Sequence, residues 1–586
     1  MTGAAGPTPF PPHVLREYAL LGDGYRGALV GPRGDICWMC VPGWASDAVF
    51  SGLLGGRGVY AVTPAAPRYV WGGYYEDGSL IWNGRWVTTD GTTVECRDAL
   101  AYPGDPHRAV LLRRVRAVEG DAVVHVTLDA RAGFGRRALR DLRREDGRWT
   151  GRTGDLRLRW TGAERAEPGE DGILRLELRV PAGGHHDLTL ELADRPYQAE
   201  PADADALWHV TTHAWQTSAP HLPDCYGPRD ALHAHAVLRG MTTPGGGTVA
   251  AATTSLPERA DSDRNYDYRY AWIRDQCYIG HAAAAAGDDE LLDSSARFVV
   301  ERLLADGPDL VPAYLAGSGG RVPSEEHLHH LPGYPGTPSV RTGNWVNGQF
   351  QLDTFGEALL MLSAAAGRDR LDDDGRRAME VAADAIGRRW PEPDAGIWEL
   401  PARQWTHSKL ICVAGLRAAA RRSTGTAPGD WLALADAILA DTGKHAIHPS
   451  GRWQWTPDDP RVDAALLLPG IRGAVPPDDP RTVATRAAVN AELRRDDYIY
   501  RFRPDERPLG DAEGAFLLCG LIAALAGHHA GDPVDAARLY ERNRAACGPP
   551  GLYAEEYDVA ERQLRGNLPQ AFVHALLLET AVTIAA

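Results

Sequence analysis

Lysine is almost absent from this chain of 586 residues: Lys409 and Lys444 are the only two, and all its other basic residues are arginine. The bias runs through the whole chain and carries no function by itself, though it singles out Lys409. Basic residues are also outnumbered, and the net charge of −16 argues against nucleic acid or an anionic membrane as a partner, since both attract basic surfaces. No apolar run reaches the length of a membrane span. The opening stretch, MTGAAGPTPFPPHVLREY, lacks a basic segment followed by an apolar one, so no secretory signal is expected. Eight scattered cysteines fit a reduced, cytoplasmic protein. Cys37 and Cys40 form one CxxC without a second pair, which reads better as a strand with two buried thiols than as a metal site. There is no GxSxG, no Walker loop and no GxGxxG after a strand, so serine-hydrolase, nucleotide-hydrolase and dinucleotide readings have no support. The cluster Glu325-Glu326-His327-Leu328-His329-His330 matches no zinc spacing.

What is present is the composition of a globular protein, 44% hydrophobic and 24% charged with a mean hydropathy of −0.31. The length calls for two or three domains. Residues 1–200 read as β structure. Leu156, Leu158 and Trp160 alternate with arginines, Leu174 to Val180 alternate with Arg and Glu, and Val124, Val126 and Leu128 alternate with His125 and Thr127. A period of two with one wet face predicts antiparallel sheet. Turns at Gly72-Gly73, Asp77-Gly78, Asp90-Gly91 and Asp171-Gly172 suggest a β-sandwich. Residues 201–226 form a linker, with a helix over Asp203–Gln216 and a break at Pro220–Pro228. Residues 227–586 are helical, with twelve candidates at 229–240, 266–286, 290–304, 348–365, 374–388, 404–421, 430–442, 462–468, 481–494, 512–527, 534–546 and 567–585. No internal repeat supports a solenoid. Twelve helices with long loops fit a double ring of six pairs, although periodicity does not distinguish a closed ring from an irregular bundle.

The densest chemistry lies in Asp263–Asp275, DRNYDYRYAWIRD. Four aromatic rings (Tyr266, Tyr268, Tyr270, Trp272) stand among three arginines and three aspartates. Flat rings stack on the C–H faces of a sugar, and fixed charges place donors and acceptors for its hydroxyls. A buried ion-pair network at a helix start would look the same. Two acidic sites stand out further on. Glu399, between Trp398 and Leu400, is a partly desolvated carboxylate, and desolvation favours the neutral form that a general acid requires. Glu555 and Glu556 sit between Tyr553 and Tyr557, whose hydroxyls suit a water or a carboxylate. Both sites lie in loops leading into helices, where acids are also favoured simply by the helix dipole.

Together these motifs resemble glycoside hydrolase family fifteen, the glucoamylases and their bacterial relatives. The opening Tyr18–Gly55, TTSLPE (Thr253–Glu258), RNYDYRYAWIRD, Gly333–Glu357, GIWE, EGAFLLCG (Glu513–Gly520), LYAEEYD and GNLPQAF occur in the family's order. The resemblance implies an α+β chain, an N-terminal antiparallel β-sandwich followed by an (α/α)6 helical barrel. It implies an exo-acting inverting α-glucoside hydrolase that needs no metal or cofactor, with Glu399 as general acid and Glu555 as general base. Arg274 and Asp275 resemble the pair that holds the non-reducing glucose, Tyr268 a tyrosine beside the catalytic water, and Trp272 and Trp398 pocket tryptophans. Arg501 and Glu556 join the expected sugar-binding set. The expected partner is a small carbohydrate, and a homo-oligomer stays open. The chain departs from the family's usual pattern at Tyr266, Gln276, Trp345 and Pro401-Ala402-Arg403. Several of these are expected where the leaving group binds, and they bear on which substrate is cleaved. A phosphorylase of similar architecture and an inactive sugar-binding protein are the alternatives.

Overall fold

The computed structural model describes residues 10–201, 203–259, 263–423, 427–503 and 514–586. The N-terminal region holds two eight-stranded sheets whose paired strands are antiparallel. One runs through Ala19–Gly22, Gly27–Val30, Asp35–Cys40, Val59–Pro64, Ala122–Asp129, Leu174–Val180 and Glu167–Pro168, with Ala48–Phe50 beside Asp35–Cys40. The other runs through Arg140–Glu145, Arg148–Thr153, Leu156–Thr161, His185–Ala193, Arg108–Glu119, Thr93–Leu100, Trp82–Thr88 and Tyr69–Tyr75. The predicted alternation explains how they meet. Val62 and Val124 of the first sheet share one core with Trp86, Leu111 and Leu190 of the second, and Tyr60 meets Trp160 edge-on at 5.8 Å. Cys37 and Cys40 are both buried on the strand Asp35–Cys40.

Two local expectations fail for physical reasons. Gly72-Gly73 is no turn and lies inside Tyr69–Tyr75. A Cβ on Gly73 would come within 2.2 Å of the Trp82 ring, so the glycine serves close packing. Arg159 is not on a wet face: it is buried, and its Nε and Nη2 donate to Glu191 at 2.7 and 2.8 Å.

Beyond the sheets the chain is helical: α1 (Ala204–Ser218), α2 (Pro228–Met241), α3 (Ile273–Ala286), α4 (Asp289–Asp306), α5 (Asp353–Gly367), α6 (Asp373–Arg389), α7 (Thr406–Ala420), α8 (Ala427–His445), α9 (Leu468–Ile471), α10 (Pro480–Glu492), α11 (Leu517–His529), α12 (Pro533–Arg544) and α13 (Ala571–Thr583). The linker helix α1 starts where Asp203 accepts the Ala206 N–H, as a capping aspartate should. The odd-numbered helices from α3 to α13 pack in sequence, α3 on α5, α5 on α7, α7 on α9, α9 on α11 and α11 on α13, and α13 returns to α3. Their apolar content matches this central place: α5, α11 and α13 are buried nearly all round. The polar helices α4, α6 and α12 lie outside them. Glu513 of EGAFLLCG and the first residues of the predicted helix 512–527 lie outside the described residues.

One helix boundary matters for function. The helix predicted from residue 266 begins at Ile273. The stretch before it is extended, because it pairs with the segment before Ser255: Ala250, Ala251 and Ser255 donate their N–H groups to the carbonyls of Tyr270, Tyr268 and Tyr266 at 2.7, 2.9 and 2.9 Å. An extended chain sends alternate side chains to opposite sides. Arg264, Tyr266 and Tyr268 therefore face one way into a cleft. Asn265, Asp267 and Arg269 face the interior and are almost completely buried.

Candidate active site

The inward-facing half of this segment is a structural anchor. Arg269 Nε and Nη2 donate to Asp267 at 2.9 and 2.7 Å, and Nη1 donates to the carbonyls of Trp44 and Ser46 at 3.2 and 2.7 Å. The guanidinium thus ties the segment to the N-terminal sheets. Asp267 also accepts from the Tyr270 hydroxyl at 3.0 Å and from the Gly343 N–H at 3.1 Å. The buried ion-pair network occupies one face of this extended chain, and the other face, with Arg264, Tyr266 and Tyr268, lines a pocket.

The other face opens on a pocket of about 790 Å³ counting its mouth. Tyr268, Trp272, Arg274, Asp275, Trp398, Glu399, Arg501 and Glu555 all line it. These are eight of the nine residues singled out from the sequence. The ninth, Glu556, is not among the lining residues. It is fully buried, accepting from Arg501 Nη2 at 2.8 Å and from the Gly514 N–H at 2.8 Å. Its alternation with Glu555 on the strand edge Glu556–Asp558 turns it inward, so it holds Arg501 in place.

Glu399 ends the tight turn over residues 396–399, its N–H donating to the Gly396 carbonyl at 3.3 Å. The turn is fixed by Asp394, whose Oδ2 accepts from the N–H groups of Leu352 and Gly396 and from Ser408 Oγ at 3.1, 3.0 and 2.9 Å. Glu399 itself takes a left-handed φ of 54°, a conformation that costs a non-glycine residue about 1–2 kcal/mol and marks a backbone held by its surroundings. Its side chain keeps 26% exposure, so it is wetter than its buried neighbours Trp398 and Leu400 imply. The Trp272 indole N–H donates to Glu399 Oε1 at 2.7 Å, and Gln351 Nε2 donates to the same oxygen at 3.1 Å. Arg274 Nη1 donates to Gln351 Oε1 at 2.7 Å and to Asp353 Oδ2 at 3.3 Å. Gln351 and Asp353 sit in a motif quoted whole from the sequence. Nothing in their own residue types marked them as the support of Glu399 and Arg274.

Glu555 sits across the pocket on the loop that leads to α13. The Tyr268 hydroxyl lies 3.3 and 3.2 Å from its two oxygens. Burial pushes the Glu555 carboxyl well above the usual range. The Glu258 carboxylate adds to this, Arg501 opposes it, Glu556 adds and Arg264 opposes. Asp275 is likewise raised to about 7, by burial first, with Arg274 opposing and Glu399 adding. The two acids are joined by two rings: Glu399 bonds Trp272, Trp272 meets Tyr268 edge-on with centroids 5.6 Å apart, and Tyr268 bonds Glu555.

Of the departures from the family pattern, Tyr266 and Trp345 line the pocket. Tyr266 stacks on Tyr268 at 6.3 Å, and Trp345 is 51% exposed. Gln276 does not reach the leaving-group side. It is buried, donating to Ser295 Oγ at 2.8 Å and accepting the Thr248 N–H at 2.8 Å. Pro401, Ala402 and Arg403 are exposed and do not line the pocket either. Lys409 bonds Gln404 and Asp441 at 3.0 and 2.9 Å, away from the pocket. Among the described residues, no helix is long and apolar enough to cross a membrane.

The profile of glycosyl hydrolases family 15 matches residues 232–582. The chain belongs to glycosyl hydrolase family 15. It is therefore a glycoside hydrolase by descent, and a second profile, the trehalase-like N-terminal domain, matches residues 11–164. A trehalase of Mycobacterium tuberculosis is 31% identical over 98% of this chain and 90% of its own length. A trehalase of Mycolicibacterium smegmatis is 31% identical over 99% of this chain and 93% of its own. Among solved structures, a bacterial glucoamylase complexed with acarbose shares the fold, with a TM-score of 0.73, 14% identity and coverage of 99% of this chain and 96% of that one.

Proposed function

We propose that this chain is an exo-acting, inverting α-glucoside hydrolase acting on α,α-trehalose, with an (α/α)6 barrel over residues 227–586 as its catalytic domain. The observation that carries the reading is the relay Glu399–Trp272–Tyr268–Glu555 across one pocket. Two carboxylates held apart by an indole and a phenol leave room for a sugar and a water. An inverting enzyme needs about 6.5–9.5 Å between its carboxyl groups, against about 5–5.5 Å in a retaining one.

Glu399 acts as general acid. Its Oε1 already accepts two N–H bonds, so the acidic proton belongs on Oε2, from which it passes to the glycosidic oxygen. Glu555 takes a proton from a water on the opposite face of the ring, with the Tyr268 hydroxyl beside it. The C–O bond to the leaving sugar breaks as the bond to water forms, and the attacked carbon inverts. Arg274 and Asp275 hold the hydroxyls of the attacked glucose and turn binding energy into orientation. Arg501, whose guanidinium carbon lies over the Phe516 ring 4.3 Å from its centroid, forms a cationic wall.

Two observations support trehalose. The relatives that align along nearly the whole chain are trehalases, and Trp345 and Tyr266 crowd the pocket on which a longer glucan would depend. A panel of trehalose, maltose, maltotriose, isomaltose, nigerose and kojibiose, scored by glucose released, tests the reading. Trehalose should be cleaved with the highest kcat/KM. A clear preference for any other member would reassign the substrate, and no release from any would reject the hydrolase reading.

A further inference from the structure

Beside Glu555 lies a second carboxylate that the mechanism does not use. Glu258 is buried and does not line the pocket. Its Oε1 is 3.3 Å from the Tyr268 hydroxyl, the same hydroxyl that reaches both oxygens of Glu555. Its Oε2 accepts from Arg264 Nε. Its backbone N–H bonds the Arg264 carbonyl at 3.1 Å. The approach of the two carboxylates is built into the backbone. Gly566, at a φ of 86°, donates its N–H to the Pro257 carbonyl at 2.8 Å, and a Cβ there would lie 3.4 Å from Glu555 Cβ and 3.7 Å from Glu258 Cγ.

The hydroxyl of Tyr268 has a single proton and three carboxylate oxygens within 3.2–3.3 Å of it. A phenol that gave its proton wholly to Glu555 would stabilise the carboxylate and make it a poorer base. We propose that Glu258 is a positioning residue for Glu555: anchored by Arg264, it competes for the Tyr268 proton and keeps the Glu555 carboxylate a strong acceptor for the proton of the attacking water. This rests on the reading of Glu555 as the base. The charge of Glu258 acts in the same direction, since a like charge close by disfavours ionisation of Glu555. The other charged or titratable groups facing Glu555 are Arg501, Glu556 and Arg264. The two arginines counter Glu258, which lets Glu555 still be carboxylate when the enzyme works.

The proposal predicts what removal of one charge does. In Glu258→Gln the negative charge is lost and the side chain keeps its shape. The proton affinity of Glu555 should fall, its midpoint dropping by about one pH unit or more. Two measurements read this. The first is a carbon NMR titration of the unliganded protein with side-chain-labelled glutamate, in which Glu555→Gln identifies the Glu555 signal. The second is the acid limb of kcat/KM on trehalose, which should move to lower pH by the same amount, with kcat at the optimum about tenfold lower and KM little changed. Glu258→Asp, which keeps the charge, should restore most of the wild-type limb. A purely structural Glu258 would lower the melting temperature of Glu258→Gln and leave the Glu555 midpoint where it was, and that result would overturn the proposal. The NMR titration needs no substrate. If the wild-type protein fails to cleave trehalose, yet Glu258→Gln shows the shifted Glu555 midpoint, the substrate reading is rejected and the effect of Glu258 on Glu555 stands.

Discussion

The indole N–H of Trp272 points at Oε1 of Glu399 from 2.7 Å. With Gln351 on the same oxygen, Oε1 accepts both N–H groups, and in the proposed mechanism Oε2 is the oxygen that serves the glycosidic bond. Glu399→Gln preserves both accepted bonds and removes the proton. We expect it to keep the fold and melting temperature while kcat falls by at least about a thousandfold, the combined effect of lost proton transfer and lost local electrostatics. Steady-state kinetics beside a thermal melt checks this. A variant with a tenth of wild-type turnover would remove Glu399 from the role of acid.

Trp345 stands half-exposed on the rim of the pocket. If it limits the size of the leaving group, Trp345→Ala should raise kcat/KM on maltotriose and soluble starch relative to trehalose, by about tenfold, as expected for opening one pocket contact. An unchanged ratio would show that the ring plays no part in selectivity.

Much of this site was legible in the sequence, and the misses share a cause. The two acids were visible because each sits in a loop before a helix with aromatic neighbours, Glu399 directly after Trp398 and Glu555 between Tyr553 and Tyr557. The segment Asp263–Asp275 was visible by composition, but a helical period hid its geometry. Its ladder partners lie at Ala250–Ser255, and only with that pairing does the alternation separate Arg264, Tyr266 and Tyr268 from Asp267 and Arg269. Glu556 was misplaced by the same one-residue parity. Gln276 looked like a substrate-side change because it follows Asp275 directly, yet on helix α3 the next residue points about 100° away, here toward Ser295. Gln351 and Glu258 carried no signal of their own, since their partners are distant in sequence or masked by ordinary residue types.

Asp275 supplies a linkage prediction. Its folded-state value of about 7 lies above the ordinary aspartate value. The folded state therefore binds the proton more tightly than the unfolded one. Its contribution to stability is present below about pH 4 and is lost as pH rises through about 7. Asp275→Asn removes this titration. The variant should gain more in melting temperature over wild type at pH 8 than at pH 5, while kcat/KM on trehalose falls. An equal difference at both pH values would contradict the buried, uphill ionisation of Asp275.

Arg269 links the pocket segment to the N-terminal sheets through the Trp44 and Ser46 carbonyls. Arg269→Met should leave Asp267 buried without its cation and cost about 3–5 kcal/mol, as breaking a buried pair from one side does. Adding Asp267→Asn should recover part of the loss. Urea unfolding of the two variants measures both terms, and a loss under about 1 kcal/mol would show the pair to be incidental.

The proposed reaction is a single displacement between Glu399 and Glu555 on a disaccharide whose two equivalent α anomeric carbons share one glycosidic oxygen. In such a reaction the attacked glucose emerges as the β anomer and the departing glucose keeps its α configuration. Proton NMR in the first minutes of trehalose hydrolysis, before mutarotation, reads the two anomers directly. Equal amounts of α- and β-glucose are expected at the earliest times. Initial release of α-glucose alone would mean a double displacement through a glucosyl-enzyme, and would contradict the assignment of Glu555 as a base acting on water.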